Sequence, residues 1–214
     1  FIILLTLLLF VSTRRRRGAI IPFSIATTGF AVMLFELILI FGFQIFYGYV
    51  FYEIGILITL FMSGMAVGSL LVIRLADNIK TGLSLIKVVE LVIIAFPFAL
   101  ITFFQLFDYL SALSALLARV IMYKLLFLSG LFAGIEFPLA NKVLLAGNEN
   151  KRQENGAIGR TVGSLYGADL IGGWIGGMAG GLILFPMLGL VHGCLLLSLL
   201  KTGSLLLLLT IPEK

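Results

Sequence analysis

The sequence has a single cysteine, Cys194, and a single histidine, His192. No disulfide can close within the chain. A Cys/His zinc cage, a cysteine-ligated iron–sulfur cluster and a bis-histidine haem all lack their ligands. Charge is scarce too. Asp, Glu, Lys and Arg make up 12% of the residues, about half their share in soluble domains. No stretch of alternating apolar and polar residues argues for a strand. No constellation of catalytic type is present, so no catalytic residue, metal or cofactor is assigned.

What fills the sequence instead is apolar. Of the 214 residues, 61% are hydrophobic, and the mean hydropathy is +1.19. A water-soluble fold of this size has too little interior to bury that much apolar surface, so lipid must be the solvent for much of the chain. The fold class that follows is all-α: a polytopic transmembrane bundle in a single domain. The net charge of +5 fits basic residues gathered in the loops that stay in the cytoplasm. It is topology, not a nucleic-acid surface. The partners expected are the lipid bilayer and other membrane protein subunits.

Apolar runs place about seven helices, over residues 1–13, 19–46, 50–73, 81–107, 113–146, 159–184 and 191–211. The first run would span only about 20 Å as a helix, short of the hydrocarbon core. It opens at Phe1 and is followed, not preceded, by Arg14–Arg17, so residues are expected upstream. With these helices, one side of the membrane receives Arg14–Arg17, Arg74, Lys80, Lys142, Lys151, Arg152, Arg160 and Lys214. The other side receives turns near Gly48, Asp108 and Gly189 that carry no Lys or Arg. The positive-inside rule then puts Arg14–Arg17 and the polar loop 147–156 in the cytoplasm, with the chain multi-pass in the inner (plasma) membrane.

Small residues mark the packing. Gly159, Gly163 and Gly167 fall four apart, as do Gly172, Gly176 and Gly180, and Gly64 and Gly68 repeat the pattern earlier. Such ridges let helix backbones approach closely, so the sixth helix is expected to be central and not lipid-facing. Pro97 and Pro138 lie inside helices, where each removes a backbone hydrogen bond and loosens carbonyls nearby. Among the ionisable residues on the helices, Glu36, Glu90, Glu136, Asp169 and Lys201 are the candidates for buried charge. A charge at mid-depth costs at least about 2.5–3.5 kcal/mol, so each should pair or line a pathway. Lys87 can pair with Glu90 at helical spacing. Lys201 is a counter-ion for one of the acids, and the sequence does not choose which.

Four segments resemble one family. Thr28–Glu36, Met62–Leu71, Gly134–Ala140 and Gly163–Gly180 with Phe185-Pro186 are similar, in order and spacing, to helices of membrane-bound spermidine synthase-like proteins. The resemblance covers most of residues 19–72 and 128–192. It implies membrane helices often joined to a cytoplasmic aminopropyltransferase-like domain, which would use decarboxylated S-adenosylmethionine and a polyamine. This chain shows no strand, Gly-rich turn and helix unit for such a domain, so no catalytic residue carries over. Asp169 stands where the family usually has Asn.

Three functions compete. The first expectation is a non-catalytic anchor or scaffold subunit of a larger membrane assembly. The second is a transporter-like bundle, resembling half of a major-facilitator protein, for a cationic or polyamine-like solute. No inverted repeat is detectable in the sequence, which lowers this second reading. The third is the membrane part of an aminopropyltransferase-like enzyme whose catalytic domain lies outside the chain.

Overall fold

The computed structural model describes residues 20–48, 51–75, 82–146 and 157–211. Nearly all of these are helical, and none is in a strand. In hydrocarbon the backbone has no water to bond, so runs this apolar satisfy their N–H and C=O groups internally. The elements are α1 (Ile20–Tyr47), α2 (Phe51–Leu75), α3 (Gly82–Leu113), α4 (Ala115–Ala146), α5 (Ala157–Ala179) and α6 (Phe185–Leu209). A π-helical turn, Gly180–Leu184, joins α5 to α6.

Among the described residues five helices, not seven, are long and apolar enough to cross a membrane. The expected run 1–13, Arg14–Arg17 and the loop 147–156 lie outside the described residues. The expected helices 159–184 and 191–211 form one helical stretch, Ile158–Leu209, of 52 residues. Drawn straight, such a helix would be about 78 Å long, more than twice the hydrocarbon thickness. It is broken at Gly189, with φ 75° and ψ 175°, a conformation that favours glycine.

Pairings on the two sides of the break run in opposite directions along α1. Before it, Gly172 and Gly176 lie against Ala26 and Phe30, and Phe185 meets Phe41. After it, the chain has come back, and Lys201 reaches Thr28. The stretch therefore makes two passes. α3 also runs past the expected end at residue 107, to Leu113. Ser114 alone separates it from α4, and its hydroxyl accepts the Leu117 N–H at 3.3 Å, as an N-cap does.

The same pairings give every direction. α1 and α3 run together, with Ser24 beside Glu90 and Phe46 beside Phe107. α4 runs against α1, with Thr28 beside Glu136 and Tyr47 beside the Ala115 carbonyl. α2 runs with α4, Gly64 on Phe127 and Gly68 on Leu131. Odd-numbered helices thus rise from one end of the bundle and even-numbered ones return. The starting end carries Arg74, Lys142 and Arg160 and is called the basic end below.

The packing repeats. α1 lies along α5 as α4 lies along α2, and α3 packs on α4 as α6 packs on α1. The pairs α1–α4 and α3–α6 map onto themselves. The match holds residue by residue. A Cβ at Gly172 would overlap the Ala26 carbonyl, and one at Gly64 would overlap that of Phe127. Gly176 meets Phe30 as Gly68 meets Leu131, and Gly29 meets the Asp169 carbonyl as Gly130 meets that of Phe61. One constant shift in register relates Ala26, Gly29 and Phe30 to Phe127, Gly130 and Leu131. Another relates Phe61, Gly64 and Gly68 to Asp169, Gly172 and Gly176. The described residues thus form two three-helix halves, α1–α3 and α4–α6. Because α1 and α4 run in opposite directions, the axis relating the halves lies in the plane of the membrane. The inverted repeat that the sequence does not reveal is present in the fold.

The glycine expectation needs correcting in part. Gly172, Gly176 and Gly180 pack on α1, and Gly64 and Gly68 on α4, as expected. Among the described residues, nothing packs on Gly159, Gly163 or Gly167. The interval from Gly167 to Gly172 is five residues, not four, which turns the second ridge about 140° from the first at 100° per residue. α5 is consequently peripheral. One face lies on α1, and Ile171 and Trp174 are exposed on the other.

Candidate functional site

The buried acids separate into two groups. Glu90 on α3, Glu136 on α4 and Lys201 on α6 converge at the centre of the bundle, each wholly inaccessible to solvent. Lys201 Nζ lies 2.7 Å from Glu90 Oε2 and 3.7 Å from Glu136 Oε1. Glu90 thus pairs with Lys201 across the bundle. Hydroxyls complete the network. Ser24 donates to Glu90 Oε1 at 2.5 Å and Ser204 to the same oxygen at 2.8 Å. Thr28 donates to Glu136 Oε1 at 2.7 Å and accepts from Lys201 at 2.7 Å. Burying ions without water is costly unless they are paired and hydrogen-bonded, and here four helices supply the partners. Two carboxyl groups face one ammonium, so the network holds either a net negative charge or one additional proton. Glu136 Oε2 has no hydrogen-bond partner.

Glu36 and Asp169 do not join this network. Both are half-buried and line a crevice of about 690 Å³. Its floor is α1, including Thr28, Met33 and Glu36; one wall is α2, with Phe61, Met62 and Met65; the other is α5, with Tyr166, Asp169 and Trp174. Ala133, Gly134 and Phe137 of α4 close the back. Gly29 lies directly against Asp169. Glu36 is seven residues further along α1, so the two acids are separated by about 10 Å along the helix axis. Neither acid has a hydrogen bond or ion pair among the described residues. Thr28 belongs to both the crevice lining and the buried network.

The crevice sits on the axis of the inverted repeat. Carrying the register of the glycine contacts along each helix pairs Val32 with Ala133, Met33 with Gly134 and Glu36 with Phe137. It also pairs Phe61 with Asp169, Met62 with Leu170, Met65 with Gly173 and Ala66 with Trp174, and every one of these residues lines the cavity. Each acid therefore has a phenylalanine as its counterpart: Phe137 for Glu36, Phe61 for Asp169. Other pairs differ in size, Met33 against Gly134, Met65 against Gly173 and Ala66 against Trp174, so the two walls share a register and not a shape.

Pro97 lies inside α3 and Pro138 inside α4. Pro138 has no N–H for the Gly134 carbonyl, and Ser69 on α2 donates to that carbonyl at 3.0 Å. Ser198 donates at 3.1 Å to the Ile94 carbonyl, in the turn preceding Pro97. Pro97 has no N–H for the Ile93 carbonyl, and the bond to Ile94 beside it joins α3 to α6; the Ser69–Gly134 bond joins α2 to α4 at the crevice lining.

A second polar cluster, which the sequence did not single out, lies at the end opposite the basic one. Glu53 of α2 is buried, accepts a hydrogen bond from the Tyr123 hydroxyl and pairs with Arg119 at 3.3 Å. The Arg119 guanidinium stands 4.9 Å over the Tyr47 ring. This cluster ties α1, α2 and α4 together at that end. Its counterparts under the repeat include Pro22 and Thr161, which cannot reproduce it. Ser24, Thr28 and Ser204 also went unrecognised in the sequence, since isolated hydroxyls in apolar helices commonly bond only their own backbone.

No family model, no curated protein and no solved structure matches the chain. Fold and site define the class on their own: a polytopic helical membrane protein whose described residues form two inverted three-helix halves, with a sealed ion network and a midplane crevice on the axis between the halves. The likeness to spermidine synthase-like membrane proteins rests on the four motifs alone.

Proposed function

We propose that this protein is a carrier-type membrane bundle that takes a solute at the crevice between α2 and α5. The observation that supports this reading is the position of the crevice on the inverted-repeat axis. In secondary transporters built from such repeats, the binding site lies near the midplane where the halves meet, and one half rocks against the other. Three-plus-three inverted repeats also occur within each half of major-facilitator proteins. The sealed network serves as the fixed core in this scheme, and the two unpaired acids serve as the site. The basic end faces the cytoplasm by the positive-inside rule, with the chain in the inner membrane.

The test needs no knowledge of the solute. In a Cys194→Ala background, Met33→Cys places one thiol on the crevice floor. Membrane-impermeant maleimide should label it when applied to either face of sealed vesicles. Labelling from neither face, or from one alone, removes the carrier reading.

A second reading, a non-catalytic scaffold subunit, is favoured by one observation. Gly159, Gly163 and Gly167 present an uncovered ridge suited to close approach by a partner helix. Under that reading, Gly163→Leu abolishes co-purification of partner subunits from native membranes while leaving the isolated bundle as stable as before.

A further inference from the structure

We propose that the crevice between α2 and α5 is a binding site for a lipophilic organic cation. This rests on the reading of the crevice as a solute site and names the class of solute. Four features converge on it. The cavity volume of about 690 Å³ is that of a small-molecule site, typically about 300–1,000 Å³. An α-helix with its side chains is about 10–12 Å across and would be a poor fit to a recess of that size.

The second feature is charge. Glu36 and Asp169 lie at hydrocarbon depth without partners, where each carboxylate is costly. A cation entering the crevice is attracted by both and offsets one of the two charges. Lys201 cannot serve, because it is committed to Glu90 and Glu136. Lipid head groups do not reach this depth. No group of three or more His, Cys, Asp or Glu gathers among the described residues to hold a metal ion, and a bare ion would find too few oxygens on these walls.

The third feature is the rest of the lining. Met33, Met62 and Met65 give an adaptable apolar surface. Tyr166 and Trp174 offer aromatic faces, with Tyr166 set edge-on to Phe137 at 6.3 Å between ring centres. Aromatic faces attract organic cations, most strongly where water is excluded. The fourth is access. Met62, Tyr166, Leu170 and Trp174 are all well exposed, so the crevice opens sideways between α2 and α5, toward lipid. A solute arriving from the bilayer has to be lipophilic, and the two acids select for positive charge.

Trp174 is the only tryptophan in the chain, so intrinsic fluorescence reports on this site. Purified protein in detergent is titrated with tetraphenylphosphonium, hexyltrimethylammonium and tetraphenylborate. Both cations should quench or shift Trp174 fluorescence saturably, and the anion of matched shape should not. Glu36→Gln with Asp169→Asn should weaken cation binding at least tenfold while the protein elutes as a monodisperse species. A response equal for tetraphenylphosphonium and tetraphenylborate, or no saturable response to either cation, overturns the proposal. This comparison is made on the unmodified protein, so it stands even if the double variant does not fold. An unchanged affinity in a folded double variant overturns it too. Cation binding without two-sided labelling at Met33→Cys keeps the site and discards the carrier. Two-sided labelling without charge selectivity does the reverse.

Discussion

Lys201 is held by two carboxylates and a threonine in a space that excludes water. Removing one partner from a buried pair leaves an uncompensated charge, at a cost of about 3–5 kcal/mol. Lys201→Met should therefore lower the thermal midpoint of the bundle in detergent sharply. Adding Glu90→Leu to it should recover part of the loss, because one of the two stranded carboxylates goes with it. A double variant as unstable as the single one would show that the network does not act as a unit. The five charged positions were legible as residues that needed partners, since insertion costs apply to any charge at depth. Which charge met which was not legible. Glu90 and Lys201 lie on α3 and α6, and nothing local distinguishes that pairing from one between Glu90 and Lys87. The unpaired state of Glu36 and Asp169 was hidden for the same reason, as it depends on where α2 and α5 stand.

The helices themselves could be read from apolar runs to within a few residues, with two exceptions that have local causes. α3 continues to Leu113, where Ser114 caps the start of α4, while the apolar run thins out earlier. The last two helices read as one stretch because only Gly189 interrupts their hydrogen bonding. Glycine ridges carried less information than their spacing promised. A four-residue interval says which glycines share a face, and the five-residue step after Gly167 rotates that face away from α1. A sharp contrast follows. Gly172→Leu and Gly64→Leu both drive a side chain into a carbonyl of the neighbouring helix. Each should cost about 1–3 kcal/mol or more, and by similar amounts because the two sites are equivalent. Gly163→Leu should leave the midpoint of the isolated protein unchanged. Thermal unfolding of the three variants in one detergent checks this, and equal loss in all three would place Gly163 in a buried contact.

At the scale of the whole molecule, two inverted halves share one frame and differ in chemistry. The close contacts of α1 with α5 match those of α4 with α2, yet the glutamate of one half meets phenylalanine in the other. That divergence is why the sequence shows no repeat: what was retained is a set of glycines and a register, not an alignable string. The ends differ as well. Glu53, Tyr123, Arg119 and Tyr47 bind α1, α2 and α4 at one end, and the positions equivalent to Tyr123 and Glu53 at the basic end are Pro22 and Thr161. In the carrier reading, the Glu53 cluster is the fastening that holds its end closed in this conformation. Glu53→Gln should then raise maleimide labelling of Met33→Cys from that face about tenfold or more, with little change from the basic face. Sidedness follows from the same frame. Thiols introduced at Arg160 and Tyr52 should react from opposite faces of intact cells, Arg160 from the cytoplasm.

The most direct test measures both ends at once. Spin labels at the exposed positions Tyr52 and Leu182 report the separation of α2 and α5 away from the basic end. Labels at Ile73 and Ile158, also exposed, report it at the basic end. In lipid, each pair should show two distance populations. Adding tetraphenylphosphonium should shift the two pairs in opposite senses, one end closing as the other opens. A single distance at each end, unmoved by the cation, would contradict a carrier built on the repeat axis.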